Sequence, residues 1–303
     1  MRIASNKISD IIRFFYDELK NIYEKAELET IIAYCFEEYL NIKRADISLR
    51  INDAISESEL LNLNFAIKDL KKQRPIQYIL GHADFYGLKF IVNEYVLIPR
   101  PETEELVQLI LKENQEVRIK NQKISILDIG TGSGCISIAL KKNIPSSDVY
   151  ALDISEKALG TAKMNAEINN TEITFILNDI LNPCLNGLSG QAKSLILNPD
   201  FLLDIIVSNP PYVCISEKNQ MQKNVLDFEP HLALFVPDND PLLFYKVIAD
   251  FAINHLKPNG KLYLEINQAY GEKTKQMLES KGFKNVVLLT DLSNKNRILR
   301  GSI

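Results

Sequence analysis

The chain has 303 residues, 46% of them apolar and 24% charged, with a net charge of −4, which is the balance of a globular protein with room for one large or two ordinary domains. No apolar run approaches the roughly 20 residues of a membrane helix, and "MRIASNKISD" lacks the apolar core and small-residue cleavage site of a signal peptide, so a cytoplasmic chain is expected. The acidic balance weighs against a protein whose main task is gripping a phosphate backbone, and the scattered Cys35, Cys135, Cys184 and Cys214, with three histidines, predict free thiols and no metal cluster.

Residues 1–75 read as helical. Ile8, Ile11, Ile12, Phe15 and Leu19 fall at helix spacing, as do Leu28, Ile31, Ile32 and Cys35. A third helix is expected in "SELLNLNFAIKDLKK", with Ser58 as its N-cap. Residues 76–100 change character: β-branched and aromatic residues cluster around Gly81 and Gly87, which predicts short strands and a β-hairpin linking two domains. A helix restarts at "RPETEELVQLILKEN", where Pro101 suits a first helical position and Glu102, Glu104 and Glu105 suit the positive end of the helix dipole.

From residue 124 strands and helices alternate. "ISILDI", "DVYALD", "ITFIL", "LLDIIVS" and "KLYLEI" read as strands, and "GCISIALKKN" and "SEKALGTAKMNAEIN" as helices. Near-continuous apolar strands in such alternation predict an α/β domain over 101–303, a mostly parallel, Rossmann-like sheet covered on both faces. "NPCLNGLSGQAKSLILNPD" is read as a surface insertion.

The first strand of that sheet runs into "GTGSG". Gly130, Gly132 and Gly134 lie between strand and helix, where missing side chains let a ligand approach the backbone. The third glycine comes one place too early for the dinucleotide pattern GxGxxG, and the spacing resembles the first motif of class I methyltransferases that use S-adenosylmethionine. Asp153 ends the second strand, where a carboxylate can accept both ribose hydroxyls, Ser155 remaining free to cap the next helix. Asp128 is expected either to orient the loop or to meet the methionine amine, and Asp179 to reach the adenine amino group.

The fourth strand ends in Asn209-Pro210-Pro211-Tyr212. Proline cannot continue a ladder, and a residue before proline is held extended. The corner is therefore rigid and aims the Asn209 carboxamide and the Pro210 carbonyl at one point. Two such acceptors suit methylation of a planar nitrogen: they would hold its two N–H groups and stabilise the charge it gains in the transition state. Tyr212 could pack on the substrate plane or offer its π face to a cation.

Over nearly its whole length the chain resembles the HemK/PrmC family of N5-glutamine methyltransferases of peptide chain release factors. The resemblance is carried by "PIQYILG", "LIPRPETEELV", "ILDIGTGSGCISIAL", "SNPPYV", "DFEPHLAL" and "LYLEINQ". It implies a class I methyltransferase sheet of seven strands with an antiparallel last strand, preceded by a small helical domain that helps recognise the protein substrate. It implies S-adenosylmethionine as cofactor, held by Gly130, Thr131, Gly132, Ser133, Gly134, Asp153, Asp179, Ile180 and Asn209. The implied substrate is the glutamine of the Gly-Gly-Gln motif of class 1 release factors, contacted by Asn209 to Tyr212. A monomer is expected, and the acidic charge balance predicts no direct nucleic-acid partner. Two features depart from the family pattern: a long segment between Asp179 and Asp204, and Asp240-Pro241 where Asp-Gly is common. Arg100 and Glu102 lie in a family signature without an assigned role. A ribosomal-protein glutamine methyltransferase, a nucleic-acid amino-methyltransferase and a non-catalytic cofactor-binding module are the alternatives.

Overall fold

A computed structural model describes residues 5–182, 198 and 200–303. The chain divides into two compact units, one made of the residues up to Gly81 with 222–228, the other of 82–221 with 229–303.

The first unit contains α1 (Ile8–Leu19), α2 (Lys25–Leu40), α3 (Glu57–Leu70) and the short α4 (Ile76–Leu80). The apolar stripes read from the sequence are its core: Ile8, Ile11, Phe15 and Leu19 meet Leu28, Ile32, Cys35 and Phe36, with Leu63, Ile67 and Leu70 from α3. Burying each Leu, Ile or Phe contributes about 2 kcal/mol, and Phe15 meets Phe36 edge-on at 6.3 Å between centroids. Two expectations are corrected. The cap of α3 is Ser56, not Ser58, because Glu59 completes a capping box with Ser56. "PIQYILG" forms α4 rather than a strand, ended by Gly81 at φ 79°, a left-handed position that glycine takes without strain.

The second unit opens with the hairpin β1 (His82–Phe85) and β2 (Leu88–Ile91). Tyr86 and Gly87 both have positive φ (51° and 73°), as a tight two-residue hairpin turn requires. The hairpin is not a free linker, since Phe85 and Phe90 sit in the same core as Leu106, Ile110, Ile136 and Leu140. The helices α5 (Pro101–Glu113), α6 (Gln115–Ile119), α7 (Cys135–Asn143) and α8 (Glu156–Ile168) follow in the chain.

The central sheet has seven strands in the order β10-β11-β9-β6-β3-β4-β5. In chain order these are β3 (Ser125–Ile129), β4 (Asp148–Asp153), β5 (Thr174–Leu177), β6 (Leu203–Ser208), β9 (Leu256–Glu265), β10 (Lys284–Thr290) and β11 (Asn296–Ser302). The strands β7 (Val213–Cys214) and β8 (Phe235–Val236) pair separately. Among the described residues of this sheet only β11 runs against its neighbours β9 and β10, the antiparallel last strand that was expected. One face packs on α5, α7 and α8. The other packs on α10 (Leu243–His255) and α11 (Gly271–Ser280); α9 (Lys223–Phe228) belongs to the first unit. Strand order reverses at β3, between β4 and β6, which makes the carboxyl ends of these strands the place for a ligand.

Most of the segment read as an insertion, with Cys184, lies outside the described residues. Among the described residues Cys35, Cys135 and Cys214 are free and buried, no cluster of side chains could hold a metal ion, and no helix is long and apolar enough to cross a membrane.

Candidate active site

The glycine loop leaves β3 and is tied back to β4, since Gly130 and Thr131 both donate their N–H to the Leu152 carbonyl, at 2.8 and 3.0 Å. Gly130, Gly132 and Gly134 have φ of 72°, 55° and 80°, the left-handed region in each case. Their needs then differ. A Cβ at Gly130 or Gly132 would meet nothing within 4 Å, whereas one at Gly134 would lie 3.0 Å from Ile138 Cδ1 and 3.2 Å from Ala162 Cβ. The first two keep open space beside the backbone, and the third lets α7 close on α8. Gly134→Ala is expected to cost about 2–4 kcal/mol, from left-handed strain plus overpacking, seen as a lower urea midpoint at unchanged slope. Gly130→Ala carries the strain alone and loses about half as much.

Asp128 is fully buried under this loop. Its Oδ2 accepts from the Thr131 hydroxyl at 2.6 Å and the Ser137 N–H at 3.2 Å, and its Oδ1 has no partner among the described residues. It orients the loop from beneath and does not line the cavity described below. Burial pushes its carboxyl up to about 6 from 3.8. Between these values the folded chain holds a proton that the unfolded chain has lost, so this group adds stability as pH falls through 6. Asp128→Asn keeps an acceptor for both donors and lacks the titration. From pH 7 to pH 5 the wild-type chain should gain about 1 kcal/mol over that variant, measured as the difference in unfolding free energy.

Asp153, at the end of β4, is 9% exposed and faces the loop. Its Oδ2 accepts from the Gly132 N–H and its Oδ1 from the Ser155 N–H, each at 2.9 Å. Burial raises its pKa, and those backbone donors work against the rise. The cap of α8 is Ser155, whose hydroxyl accepts from Ala158 N–H at 3.1 Å, so Asp153 is not needed there. Asp179 follows β5, and its carboxylate closes a local turn on Leu181 N–H and Asn182 Nδ2, each at 2.9 Å.

Most of these groups border one cavity of about 280 Å³. Gly130, Thr131, Gly132, Ser133, Asp153, Asp179, Ile180, Asn209, Pro210 and Pro211 all line it. Asp128, Gly134 and Tyr212 do not. Tyr212 is turned into the core, where its hydroxyl donates to Glu265 Oε1 at 3.1 Å. Its ring therefore anchors the corner instead of facing the cavity. Burial first, then the neighbouring Glu265, hold its phenol well above the ordinary value.

Several lining groups escaped the sequence reading. Ile154, 48% exposed, follows the strand-end acid, and an exposed isoleucine directly after a buried strand was the available signal. Asn178 is buried, and its Nδ2 has no hydrogen-bond partner among the described residues. An orphan donor of this kind on a cavity wall suits a ligand with an acceptor. Thr103 also lines the cavity and receives Asn209 Nδ2 at 3.2 Å. Ser208 ties the end of β6 to the end of β3 through Ile129 O at 2.6 Å.

Two straps brace the rim. Asn165 on α8 pairs its carboxamide with both Ile91 N–H (2.6 Å) and Ile91 O (3.0 Å) and also donates to Ser133 O (2.9 Å), coupling the hairpin edge to the glycine loop. Arg100, whose role was open, binds Glu229 Oε1 at 2.5 Å, and the other carboxylate oxygen accepts from Ile98 N–H at 3.3 Å. Glu102 has no such pairing among the described contacts but contributes a repulsive charge to Glu265.

Comparison with known proteins bears on the whole chain. The release factor glutamine methyltransferase of Flavobacterium psychrophilum is 48% identical over 94% of this chain and 95% of its own. This chain belongs to the release factor glutamine methyltransferase family. The relative from Bacteroides thetaiotaomicron is 44% identical over 97% of this chain and 98% of its own. The family model described as methyltransferase small domain matches residues 108–227, and that of the PrmC N-terminal domain matches 10–81. Among solved structures the hMettl16 catalytic domain in complex with MAT2A 3'UTR hairpin 6 aligns with a TM-score of 0.50 at 15% identity, covering 82% of each chain, a likeness of fold alone. The family and the sheet together make the second unit a class I methyltransferase domain.

Proposed function

We propose that the chain transfers a methyl group from S-adenosylmethionine to the side-chain nitrogen (N5) of the glutamine in the Gly-Gly-Gln motif of class 1 release factors, leaving N5-methylglutamine and S-adenosylhomocysteine. The observation that carries the reading is that the Asn209-Pro210 corner and the glycine loop with Asp153 line one cavity, so an amide clamp and a nucleotide cradle share a wall.

The residues present fit the cofactor. Gly130 and Gly132 leave space that a Cβ would fill, and Asp153 would accept the ribose hydroxyls. Asp179, with Ile154 and Ile180, would take the adenine, and the Asn178 donor, without a partner among the described residues, supplies a hydrogen bond that an acceptor on such a ligand needs. When bound, the cofactor supplies an electrophilic methyl on a sulfonium. The chain's task is to hold the amide nitrogen. Asn209 Oδ1 and the Pro210 carbonyl accept its two N–H groups, and the bonds strengthen as the nitrogen becomes positive. The proton becomes acidic once the methyl has joined and leaves to water, so no strong base is required. The helical residues 1–75 serve recognition of the release factor by a monomer, in the cytoplasm where translation occurs.

The test is methyl transfer from labelled S-adenosylmethionine to a release factor, its Gly-Gly-Gln variant with Gln→Ala, a ribosomal protein, and a pool of DNA and ribosomal RNA. Label on the release factor alone, lost in the variant, is expected. Label on nucleic acid or the ribosomal protein would keep the chemistry and overturn the substrate.

A further inference from the structure

We infer that Glu265 and Thr103 form a hydrogen-bond relay that fixes which end of the Asn209 carboxamide is offered to the substrate, making both positioning residues of the reaction; this rests on the reading that Asn209 accepts from the substrate amide. A carboxamide has two ends of nearly equal shape and opposite hydrogen-bond sense. An Asn209 flipped end for end would set a donor against the substrate's own N–H donors. Something must decide the orientation before substrate arrives.

The decision begins at Glu265, the last residue of β9, which is 1% exposed. Its two oxygens face the Thr103 hydroxyl at 2.7 Å and the Tyr212 hydroxyl at 3.1 Å. Burial raises its pKa, the Thr103 and Tyr212 hydroxyls and Arg297 work against that rise by favouring the carboxylate, and Glu102 adds to it. Arg297 is itself held by Asp291 at 3.2 Å. A carboxylate only accepts, so both hydroxyls must donate to it. Thr103 has a single hydroxyl proton and spends it there. Its oxygen keeps only lone pairs for Asn209, 3.2 Å away. Asn209 must therefore meet Thr103 with Nδ2, which leaves Oδ1 as the end available to an N–H entering the cavity. The same carboxylate anchors Tyr212, so both ends of the Asn209–Tyr212 corner are tied to one buried charge.

The sense of the relay can be reversed without removing atoms. In Glu265→Gln the new amide can donate to Thr103, whose proton is then free to point at Asn209. Thr103→Val keeps the shape and breaks the relay, while Thr103→Ser keeps the hydroxyl. The experiment measures kcat and KM for release-factor methylation, cofactor affinity by calorimetry, and the urea midpoint for the three variants. Glu265→Gln and Thr103→Val should each lower kcat about tenfold to a hundredfold, with cofactor affinity within about threefold of wild type. Thr103→Ser should restore most of the turnover, and the Thr103→Val/Glu265→Gln double variant should be no worse than either single one, as members of one chain are not additive. Wild-type kcat in both single variants overturns the relay, and so does a Thr103→Ser enzyme as slow as Thr103→Val, which would mark a packing effect. If Glu265→Gln fails to fold, the Thr103 pair decides. A wild-type chain that methylates no glutamine overturns the underlying reading, and is distinguishable because no variant comparison is then needed.

Discussion

Asn209→Ala is expected to lower turnover about 10²–10³-fold, the loss found when one preorganised hydrogen-bonding group is removed from a developing charge. The fold should survive. Asn209 makes its side-chain contact only through Thr103 among the described bonds, and the rigidity of the corner comes from Pro210 and Pro211, which remain. The loss should appear mainly in kcat, since the clamp grips the transition state more tightly than the ground state. A crippled kcat with normal cofactor binding is the signature. A folded Asn209→Ala chain with wild-type turnover would end the amide-clamp account.

Asp153→Asn should act at the other end of the cavity. Asp153 already accepts Gly132 and Ser155 N–H groups, and as an acceptor-only group it has lone pairs left for two hydroxyls. The amide retains one acceptor oxygen and cannot serve all four donors. Replacing charge-assisted bonds by a partly mismatched amide costs about 2–3 kcal/mol, so S-adenosylmethionine should bind roughly 30–150-fold more weakly. Calorimetry reads this directly. Because the substitution is nearly isosteric, the urea midpoint should move far less than the affinity. Unchanged affinity would remove Asp153 from the cofactor site.

The parts of the site that sequence made legible are those whose chemistry is local. Gly130 and Gly132, the acid ending β4 and the Asn-Pro-Pro corner each state their purpose within a few neighbouring residues, and the strand order brings them together. Gly134 was legible as part of the loop, but its reason, the approach of Ala162 from α8, lies in tertiary packing. Tyr212 reads as a ring beside the corner, and only Glu265, distant in sequence, shows why it turns inward. Thr103 stood in a recognised signature, yet its bond to Glu265 spans 162 positions and no spacing rule reaches that far. "PIQYILG" misled because five residues, Ile76 to Leu80, are too few to fix a period; the left-handed Gly81 that caps them favours the helix. Ser56 and Ser58 are both good caps in isolation, and Glu59 decides between them.

The most direct test of the central claim locates the methyl itself. The purified chain is incubated with S-adenosylmethionine and a release factor, and the product is digested and sequenced by mass spectrometry. A single methyl on the side-chain amide of the Gly-Gly-Gln glutamine is the predicted result. A methyl on any other residue, or a release factor left unmodified while the chain binds cofactor normally, would contradict the account.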